Sequence, residues 1–372
     1  MKKMNKSILV ALLAFILCGC RCSNDKNCEC PSDQDNASST EYTQIVNDYT
    51  NLYEQTVESV VMVRIQRKSN GEIIATGSGV VFFEEGDKAY VLTNAHVVKN
   101  MISDYEIEVI FSNNKGIESG KSEIAVLKGK DYKEDVAVLS INKSDKYKIA
   151  KIGDSDNIER GDFVYTIGSP YQIFNHTTAG TVSSFNYPVS IDNSKVGVNT
   201  TVYAILTDAP INQGNSGGAL FNDKGELIGI TTFKYDKMDG MYGVLPINYF
   251  IKVAKHVMVY DSDYDRPSLN LTLISINEMG VLKEDYGISS TLVSGVYVQN
   301  SLEGEIATGS VITKINGKNV SSVEDFMSTI LKYDVGDSLI LTIVNKADGL
   351  NERTVEVELH SWLKLKLYVL VK

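Results

Sequence analysis

The chain has 372 residues, of which 43% are hydrophobic and 22% charged, so it is long enough for two globular domains of ordinary composition. Its net charge of −11 argues against a nucleic-acid partner, since such a partner calls for a basic patch or stripe. All five cysteines precede residue 31, which excludes disulfides, a thiol nucleophile and a cysteine-based zinc site from the folded region. We expect neither a metal nor a cofactor.

Residues 1–19 are predicted to be a signal peptide. Three lysines lie in residues 1–6, and residues 7–17 form an almost unbroken apolar run that is too short to span a bilayer comfortably. The run ends in LCGC at residues 17–20, which resembles the lipobox of bacterial lipoproteins. That resemblance implies cleavage before Cys20 and lipidation of this cysteine. An uncleaved anchor and a plain secretory signal are the alternatives, and each of them also exports the rest of the chain.

Residues 20–40 are predicted to be a disordered tether, because they are polar and nearly free of large apolar side chains. The spacing of Cys22, Cys28 and Cys30 within this tether fits no strong zinc pattern. In residues 41–58 the apolar side chains recur at helical intervals, which predicts a short amphipathic helix.

Residues 41–260 are predicted to form a mainly β domain. After the helix, β-branched and aromatic runs are separated by turn sequences at the close spacing typical of a sandwich or barrel. A helix at 247–259 closes this domain. The predicted strands are 60–66, 73–83, 90–93, 106–111, 124–128, 136–141, 163–167, 180–185, 202–206, 227–233 and 243–245.

An acidic segment that ends in proline, residues 261–267, predicts a domain boundary. The unit that follows, to residue 360, is predicted to be a small α+β domain with a hairpin turn at Asn316-Gly317 and a helix near 322–331. Its strands are predicted at 269–276, 295–299, 310–315, 338–345 and 353–359. The tail, residues 361–372, alternates Leu and Lys, which favours an extra strand over contact with a membrane surface.

Three residues are candidates for a nucleophilic catalytic set. His96 follows a buried-looking strand, Asp135 opens another apolar strand, and Ser216 lies in the sequence Gly-Asn-Ser-Gly-Gly. Each signal is weak alone, because such a histidine is often a core side chain, such an aspartate a turn former and such a serine part of a plain hairpin turn. The order His, Asp, Ser on an all-β framework, however, is that of chymotrypsin. Flanking glycines also let the backbone approach a ligand and present its N–H groups to an oxyanion.

The motifs around these residues resemble the HtrA (DegP/DegQ-like) serine proteases, which are trypsin-like enzymes with a C-terminal PDZ domain. The resemblance implies a mainly β fold, a chymotrypsin-like double β-barrel followed by a small α+β PDZ-like domain. It makes Ser216 the nucleophile, His96 the general base and Asp135 the residue that holds the imidazole, with the N–H groups of Gly214 and Ser216 as the oxyanion hole. The matching stretches are TNAHVV at 93–98, DVAVL at 135–139, TDAPINQGNSGG at 207–218, GSGVV at 77–81, GSP at 168–170 and the PDZ-like hairpin ITKINGK at 312–318.

The same resemblance implies a specificity pocket. The residue six positions before the serine lies at the pocket base in chymotrypsin-like enzymes, and here it is Pro210. Because Pro210 carries no charge, a small or medium apolar substrate side chain is favoured over a basic one. Ile211 and Thr231 are expected to line the pocket. Relatives usually have GFAIP where this chain has YGVLP at 242–246, so Gly243 replaces a bulky residue and is expected to reshape the pocket.

In a PDZ-like domain, the loop that captures a peptide carboxylate would be Leu269, Asn270 and Leu271, where relatives have a central glycine. Asparagine tolerates left-handed conformations better than most residues, which is compatible with such a loop. The domain is expected either to bind peptide C-termini weakly or to serve as a regulatory cap. Near the oxyanion hole, residues 168–180 are expected to be the moving loop, with His176 as a loop residue rather than a second base.

The resemblance implies a serine endopeptidase that needs no cofactor and cleaves unfolded or damaged exported proteins at the bacterial cell envelope. The enzyme would be lipid-anchored to the membrane outside the cytoplasm and would form a homotrimer, for which Tyr49 and Tyr53 are candidate contacts. Two alternatives stay open: a catalytically silent chaperone or peptide-binding lipoprotein, and a processing protease of narrow specificity.

Overall fold

The computed structural model describes residues 48–99, 101–191, 200–234, 240–260, 263–280, 282–347, 349 and 351–361. The predicted signal peptide, the predicted lipidation site Cys20, the predicted tether and the tail beyond Ser361 lie outside these residues. The chain divides into two units, residues 1–53 and residues 54–372. The described residues of the first unit are helical and belong to α1, which covers 48–56, as the amphipathic pattern predicts. Within the described ranges, no helix is long and apolar enough to cross a membrane.

Six antiparallel strands close into a first β-barrel in the order β1-β2-β3-β6-β5-β4. Its core consists mainly of Val, Ile and Leu side chains, such as Val63, Ile107 and Leu139, because alternate residues of each strand point inward. The strands are β1 (Val60–Arg67), β2 (Ile73–Glu85), β3 (Lys88–Thr93), β4 (Tyr105–Ser112), β5 (Glu118–Asp131) and β6 (Val136–Asn142).

A second closed barrel repeats this connectivity in the order β7-β8-β9-β12-β11-β10. Its core includes Val164, Ile205, Leu220 and Val244. The helix α2 (Ile247–Val259) follows β12 directly and buries Phe250 and Val253. The strands are β7 (Phe163–Gly168), β8 (His176–Ile191), β9 (Thr200–Thr207), β10 (Ala219–Asn222), β11 (Leu227–Lys234) and β12 (Tyr242–Pro246).

The C-terminal part combines helices with an open β-sheet, in contrast to the two closed barrels. Its strands follow the order β14-β15-β16-β18-β19, with β17 paired to β16 and a separate two-stranded pairing of β13 with β20. The helices are α3 (Leu282–Asp285) and α4 (Val323–Ile330), the latter capped by the Ser322 side chain, which accepts from the Asp325 N–H. The strands are β13 (Pro267–Ser268), β14 (Leu271–Ser275), β15 (Val296–Ser301), β16 (Ser310–Ile315), β17 (Lys318–Asn319), β18 (Ser338–Asn345), β19 (Arg353–Glu358) and β20 (His360–Ser361).

The predicted fold class is confirmed: the protein is mainly β and contains the double barrel. The closing helix begins and ends at the predicted residues, and β16 and β18 have the predicted bounds. The sequence-based strands miss β10, because only Ala219, Leu220 and Phe221 are apolar there and glycines precede them. They also begin β8 too late. The strand starts at His176, so residues 176–180 of the segment expected to be a moving loop are strand, and His176 is a strand residue rather than a loop residue.

Candidate active site

The strand register of the first barrel brings His96 and Asp135 together. Thr93, at the end of β3, pairs with Ala137 near the start of β6, so the residues just outside both strands are neighbours. His96 Nδ1 lies 2.8 Å from Oδ2 and 3.0 Å from Oδ1 of Asp135. The backbone N–H of His96 also donates to Asp135 Oδ1 at 2.9 Å. The carboxylate is nearly buried, whereas the imidazole side chain is 40% exposed and can reach a substrate.

Asp135 has an uncommon backbone conformation, with φ of +55°. This left-handed region is costly for a residue with a Cβ unless its surroundings hold it there. One such contact comes from Asn94, whose Nδ2 donates to the Asp135 carbonyl oxygen at 3.0 Å and to Thr232 Oγ1 at 3.2 Å. Asn94 therefore links the aspartate to the second barrel.

The pKa of His96 lies above its ordinary value. Burial lowers this pKa, but the charge of Asp135 and its hydrogen bond to the ring together raise it more, while Lys99 lowers it slightly. The pair therefore favours a protonated imidazole, as a base that must accept a proton requires.

Ser216 lies on the loop that precedes β10, held between the two barrels. Its carbonyl oxygen accepts from the Ser78 N–H at 2.8 Å, and the next N–H, of Gly217, donates to the Thr231 carbonyl at 2.8 Å. Gly217 has φ of +85°, and a Cβ there would overlap Thr93 and the Ser78 backbone, so only glycine fits. The Ser216 hydroxyl donates to the Thr232 carbonyl at 3.2 Å, and among the described residues no hydrogen bond joins it to His96.

The two N–H groups proposed for the oxyanion hole are available. Within the described part of the chain, neither the Gly214 N–H nor the Ser216 N–H has a hydrogen-bond acceptor. Gly214 has φ of +100°, which suits glycine. Its carbonyl oxygen accepts from Ser78 Oγ at 2.8 Å, and the same Oγ accepts from the Ser169 N–H at 2.8 Å. Sequence reasoning missed this role of Ser78, although it did single out the GSGVV segment that contains it.

The residues predicted for the specificity pocket have different surroundings. Pro210 is exposed, while Ile211 is buried in the core of the second barrel. Thr231 is buried and its hydroxyl donates to the Asn215 carbonyl at 2.5 Å, which holds the nucleophile loop. Gly243 faces the ring of Phe233 on the neighbouring strand. Sequence reasoning missed Phe233, and the absence of a side chain at Gly243 was the signal that could have pointed to it.

The predicted carboxylate-binding loop is already occupied by an internal carboxylate. Glu303 Oε1 accepts from the Asn270 N–H at 2.7 Å, and Glu303 Oε2 lies 3.4 Å from His360 Nε2. Leu269 is buried in the core of the C-terminal sheet, and the Leu271 N–H donates to its carbonyl oxygen at 2.8 Å. The loop thus presents a backbone N–H to a carboxylate.

Comparison with protein families matches residues 77–230 to the trypsin-like peptidase domain. This part of the chain is therefore similar to trypsin-like peptidase domains. It is also similar to the serine protease Do-like HtrA of Lactobacillus helveticus, with 33% identity over 290 residues, and to the periplasmic serine endoprotease DegP of Escherichia coli strain K12, with 32% identity over 287 residues. These matches cover 73% and 75% of this chain but 66% and 56% of the two relatives. The chain is thus similar to two HtrA-type proteases over most of its own length and spans only part of theirs.

A solved structure agrees with this assignment. The HtrA-type protease AlgW, solved with a tripeptide, superposes with a TM-score of 0.59 at 25% identity, covering 84% of this chain and 96% of that one. Because 84% of this chain is covered, the likeness extends beyond residues 77–230, which match the peptidase domain.

Proposed function

We propose that the protein is a serine endopeptidase that uses Ser216, His96 and Asp135. The observation that carries this proposal is the imidazole of His96, bound through Nδ1 to both oxygens of a nearly buried Asp135 and open to solvent on its other side. The serine loop has, among the described residues, two unused N–H groups at Gly214 and Ser216. Its serine is tied to Thr232, which in turn binds Asn94 beside Asp135. Similarity to Do-like HtrA serine proteases supports the same activity.

The chemistry follows from these roles. Ser216 Oγ attacks the carbonyl carbon of the scissile peptide while His96 Nε2 takes the hydroxyl proton. The N–H groups of Gly214 and Ser216 bind the oxyanion, and loss of one such donor typically costs about 3 kcal/mol of transition-state stabilisation. His96 then protonates the leaving amine, and a water that it deprotonates cleaves the acyl-enzyme. Asp135 stays ionised and keeps the imidazole in one tautomer and orientation throughout.

Ser216 must rotate before it can react. In the structure its hydroxyl proton is given to the Thr232 carbonyl, whereas attack requires that proton to lie on His96. We infer that rotation about the Ser216 side-chain bond would exchange these acceptors without moving the loop, because the loop backbone is held independently by Ser78 and Thr231. Substrate binding is the step that would drive this exchange.

The pocket beside Gly243 is proposed to accept small apolar side chains. With Phe233 over Gly243, the aromatic ring takes up space that a larger substrate side chain would need. The Pro210 position brings no charge to the pocket base, so a basic substrate residue has no partner there. Alanine and valine before the scissile bond fit this pocket better than leucine or phenylalanine.

The activity is tested with the full chain on unfolded casein, beside the Ser216→Ala variant as a matched control. We expect cleavage by the wild type and none by the variant, together with covalent labelling of the wild type alone by a fluorophosphonate. If both proteins are equally inactive and unlabelled, the endopeptidase proposal is wrong.

A second candidate function, peptide binding without cleavage, is favoured by one observation: the Ser216 hydroxyl bonds to Thr232 rather than to His96. A silent chaperone would suppress aggregation of an unfolded protein equally well as the wild type and as the Ser216→Ala variant. The casein experiment separates the two functions, because only the protease generates fragments.

The cellular setting is also a proposal. The lipobox-like residues 17–20 support cleavage before Cys20 and lipid anchoring at the envelope, outside the cytoplasm. Incorporation of a labelled fatty acid that is lost in Cys20→Ser tests this. Homotrimer formation, with Tyr49 and Tyr53 as contacts, is tested by sedimentation of the wild type beside Tyr53→Ala. Unfolded exported proteins are the proposed substrates.

The C-terminal unit is proposed to be PDZ-like. Its strand β14 ends the sheet, and among the described residues it pairs with β15 alone, which leaves one edge to which a peptide strand could add. The Asn270 N–H, which now binds the Glu303 carboxylate, is the proposed site for a peptide carboxylate. We also propose a domain boundary near residue 260, because the helix that closes the second barrel ends at Val259 and the C-terminal sheets begin after it.

A further inference from the structure

The residue before the proposed catalytic aspartate is itself a buried carboxylate. Glu134 has 1% of its side chain exposed and is bound by the guanidinium of Arg266, which lies past the end of α2. Arg266 Nε lies 2.5 Å from Glu134 Oε1, and Arg266 Nη2 lies 2.5 Å from Glu134 Oε2. Two parallel hydrogen bonds of this kind fix the relative orientation of the two side chains as well as their distance.

Other groups complete the surroundings of this pair. The Tyr249 hydroxyl on α2 donates to Glu134 Oε2 at 2.8 Å, and burial together with the Glu134 charge raises the pKa of Tyr249 well above its ordinary value, which keeps it a donor. Arg266 Nη1 donates to the Thr201 carbonyl oxygen on β9 at 2.8 Å. The guanidinium therefore joins the turn of the first barrel to a strand of the second.

The turn that contains Glu134 has a second contact with the segment around Arg266, through Asp131 and Tyr264. Asp131 Oδ1 accepts from the Lys133 N–H at 2.7 Å and from the Glu134 N–H at 3.1 Å, which closes the turn. Asp131 Oδ2 accepts from the Tyr264 N–H at 2.6 Å. Residues 264–266 thus contact both the first and the last carboxylate of the turn that leads into Asp135.

We propose that Arg266 and Glu134 are positioning residues for catalysis, and this inference rests on the proposed endopeptidase function. The turn from 131 to 135 ends in a residue with φ of +55°, a conformation that persists only where neighbouring contacts impose it. Asn94 holds the carbonyl side of Asp135, and the Glu134–Arg266 pair holds the preceding residue. Together they keep the Asp135 carboxylate aligned with His96 Nδ1.

Stability alone is a weaker explanation for the pair. Taking two charges out of water costs most of what their attraction returns, so a buried ion pair adds little net stability over apolar side chains of similar size. The pair restricts the positions of the two side chains more than it adds to stability, because separating them would leave a buried charge without a partner. The predicted consequence is a loss of turnover rather than of substrate affinity.

The experiment uses the full chain and compares Arg266→Met, Arg266→Lys and Glu134→Gln with the wild type on a small peptide substrate. We expect Arg266→Met to lower kcat about tenfold or more while KM changes less than about twofold, as for a change felt in the transition state. The kcat of Arg266→Lys should lie between those of the wild type and Arg266→Met, because lysine keeps the positive charge but cannot form the two parallel hydrogen bonds of the guanidinium. In Arg266→Met the acidic limb of the pH–rate profile should also move to lower pH, since a misaligned Asp135 no longer raises the His96 pKa.

The matched control is Arg64→Met. Arg64 and Glu108 form an ion pair of the same first barrel, with Arg64 Nη2 2.5 Å from Glu108 Oε2, and no described contact joins it to His96, Asp135 or Ser216. This variant should lose stability but keep the wild-type kcat and pH profile. Should Arg266→Met fail to fold, Arg266→Lys and Glu134→Gln carry the same test.

The outcomes separate the two proposals. A wild type as inactive as Ser216→Ala would overturn the proposed function itself. An active wild type whose Arg266 and Glu134 variants keep its kcat and its acidic limb would overturn the positioning role alone, as would losses no greater than those of Arg64→Met.

Discussion

The ring of Phe233 on β11 fills the space that a side chain at Gly243 on β12 would need. The two residues are direct cross-strand partners, and a Cβ added at Gly243 would overlap the ring. Phe233 directly follows Thr232, whose carbonyl oxygen accepts the Ser216 hydroxyl. The two positions, on the consecutive strands β11 and β12, therefore share one volume, and Phe233 is the sequence neighbour of the residue that binds the Ser216 hydroxyl.

Removing this ring should widen the proposed pocket. We expect Phe233→Ala to raise kcat/KM for peptides with leucine or phenylalanine before the scissile bond, relative to alanine, by about tenfold, since each buried methylene in such a pocket changes specificity by about 1 kcal/mol or more. The measurement is the ratio of kcat/KM on a series of peptides that differ at that residue. An unchanged ratio would remove Phe233 from the pocket.

Gly243→Ala provides a matched test of the shared volume. In the wild type it should lower the free energy of unfolding by about 1–3 kcal/mol through overpacking against the ring. In the Phe233→Ala background, Gly243→Ala should lower the free energy of unfolding much less, because the ring that it overlaps is gone. Additive losses in urea unfolding of the single and double variants would contradict the contact.

The sequence predicts the barrel strands other than β10, because each of those strands carries its own signal of alternating or β-branched residues. The choice of a double barrel over a sandwich comes from the family resemblance. The order of His96, Asp135 and Ser216 along the chain points to a catalytic set, and the roles of the three residues stay predictions. The sequence does not predict contacts that depend on register between distant segments. Glu303 with Asn270 and Arg266 with Glu134 each join parts of the chain that no local pattern relates. Even on the consecutive strands β11 and β12, the pairing of Phe233 with Gly243 depends on a register that the sequence does not give.

The pH dependence of the proposed activity follows from His96. Its pKa is raised in the folded protein, so the neutral base is lost as pH falls through a value above about 6.5, and kcat/KM should fall there. Asp135→Asn removes the raising charge and leaves burial, which should move this limb to lower pH and reduce kcat by up to about 10⁴-fold. A pH–rate profile for both proteins is the measurement, and an acidic limb that does not move would contradict the role of Asp135.

The raised pKa of His96 also predicts that its contribution to stability falls as pH rises, opposite to the trend in activity. A histidine with a raised folded pKa contributes stability that is fully present below its unfolded pKa of about 6.5 and is lost as pH rises through the folded value. The difference in free energy of unfolding between the wild type and His96→Ala should therefore be larger at pH 5.5 than at pH 8.5. Urea unfolding at both values measures it, and a difference independent of pH would argue against the His96–Asp135 interaction.

Ser78 is expected to support the oxyanion loop. Ser78→Ala leaves the Gly214 carbonyl and the Ser169 N–H without their partner, and an unsatisfied buried group costs about 1–3 kcal/mol. We expect kcat to fall about tenfold with a smaller change in KM. Ser59→Ala is the control, because its hydroxyl is buried and donates to the Thr56 carbonyl, just before the first barrel. Equal effects of the two variants on kcat would show that Ser78 acts through stability alone.

Glu303 should compete with peptide carboxylates for the Asn270 N–H. Its carboxylate already accepts from that N–H at 2.7 Å, so an incoming C-terminus must displace an anion that is tethered in place. Glu303→Gln weakens this internal acceptor, because a hydrogen bond to a charged group is stronger than one to a neutral amide. We expect the variant to bind a peptide with a free C-terminal carboxylate about fivefold to tenfold more tightly, measured by fluorescence anisotropy. The same peptide with an amidated C-terminus should gain nothing, and an equal gain for both peptides would mean that the Asn270 N–H does not receive the carboxylate.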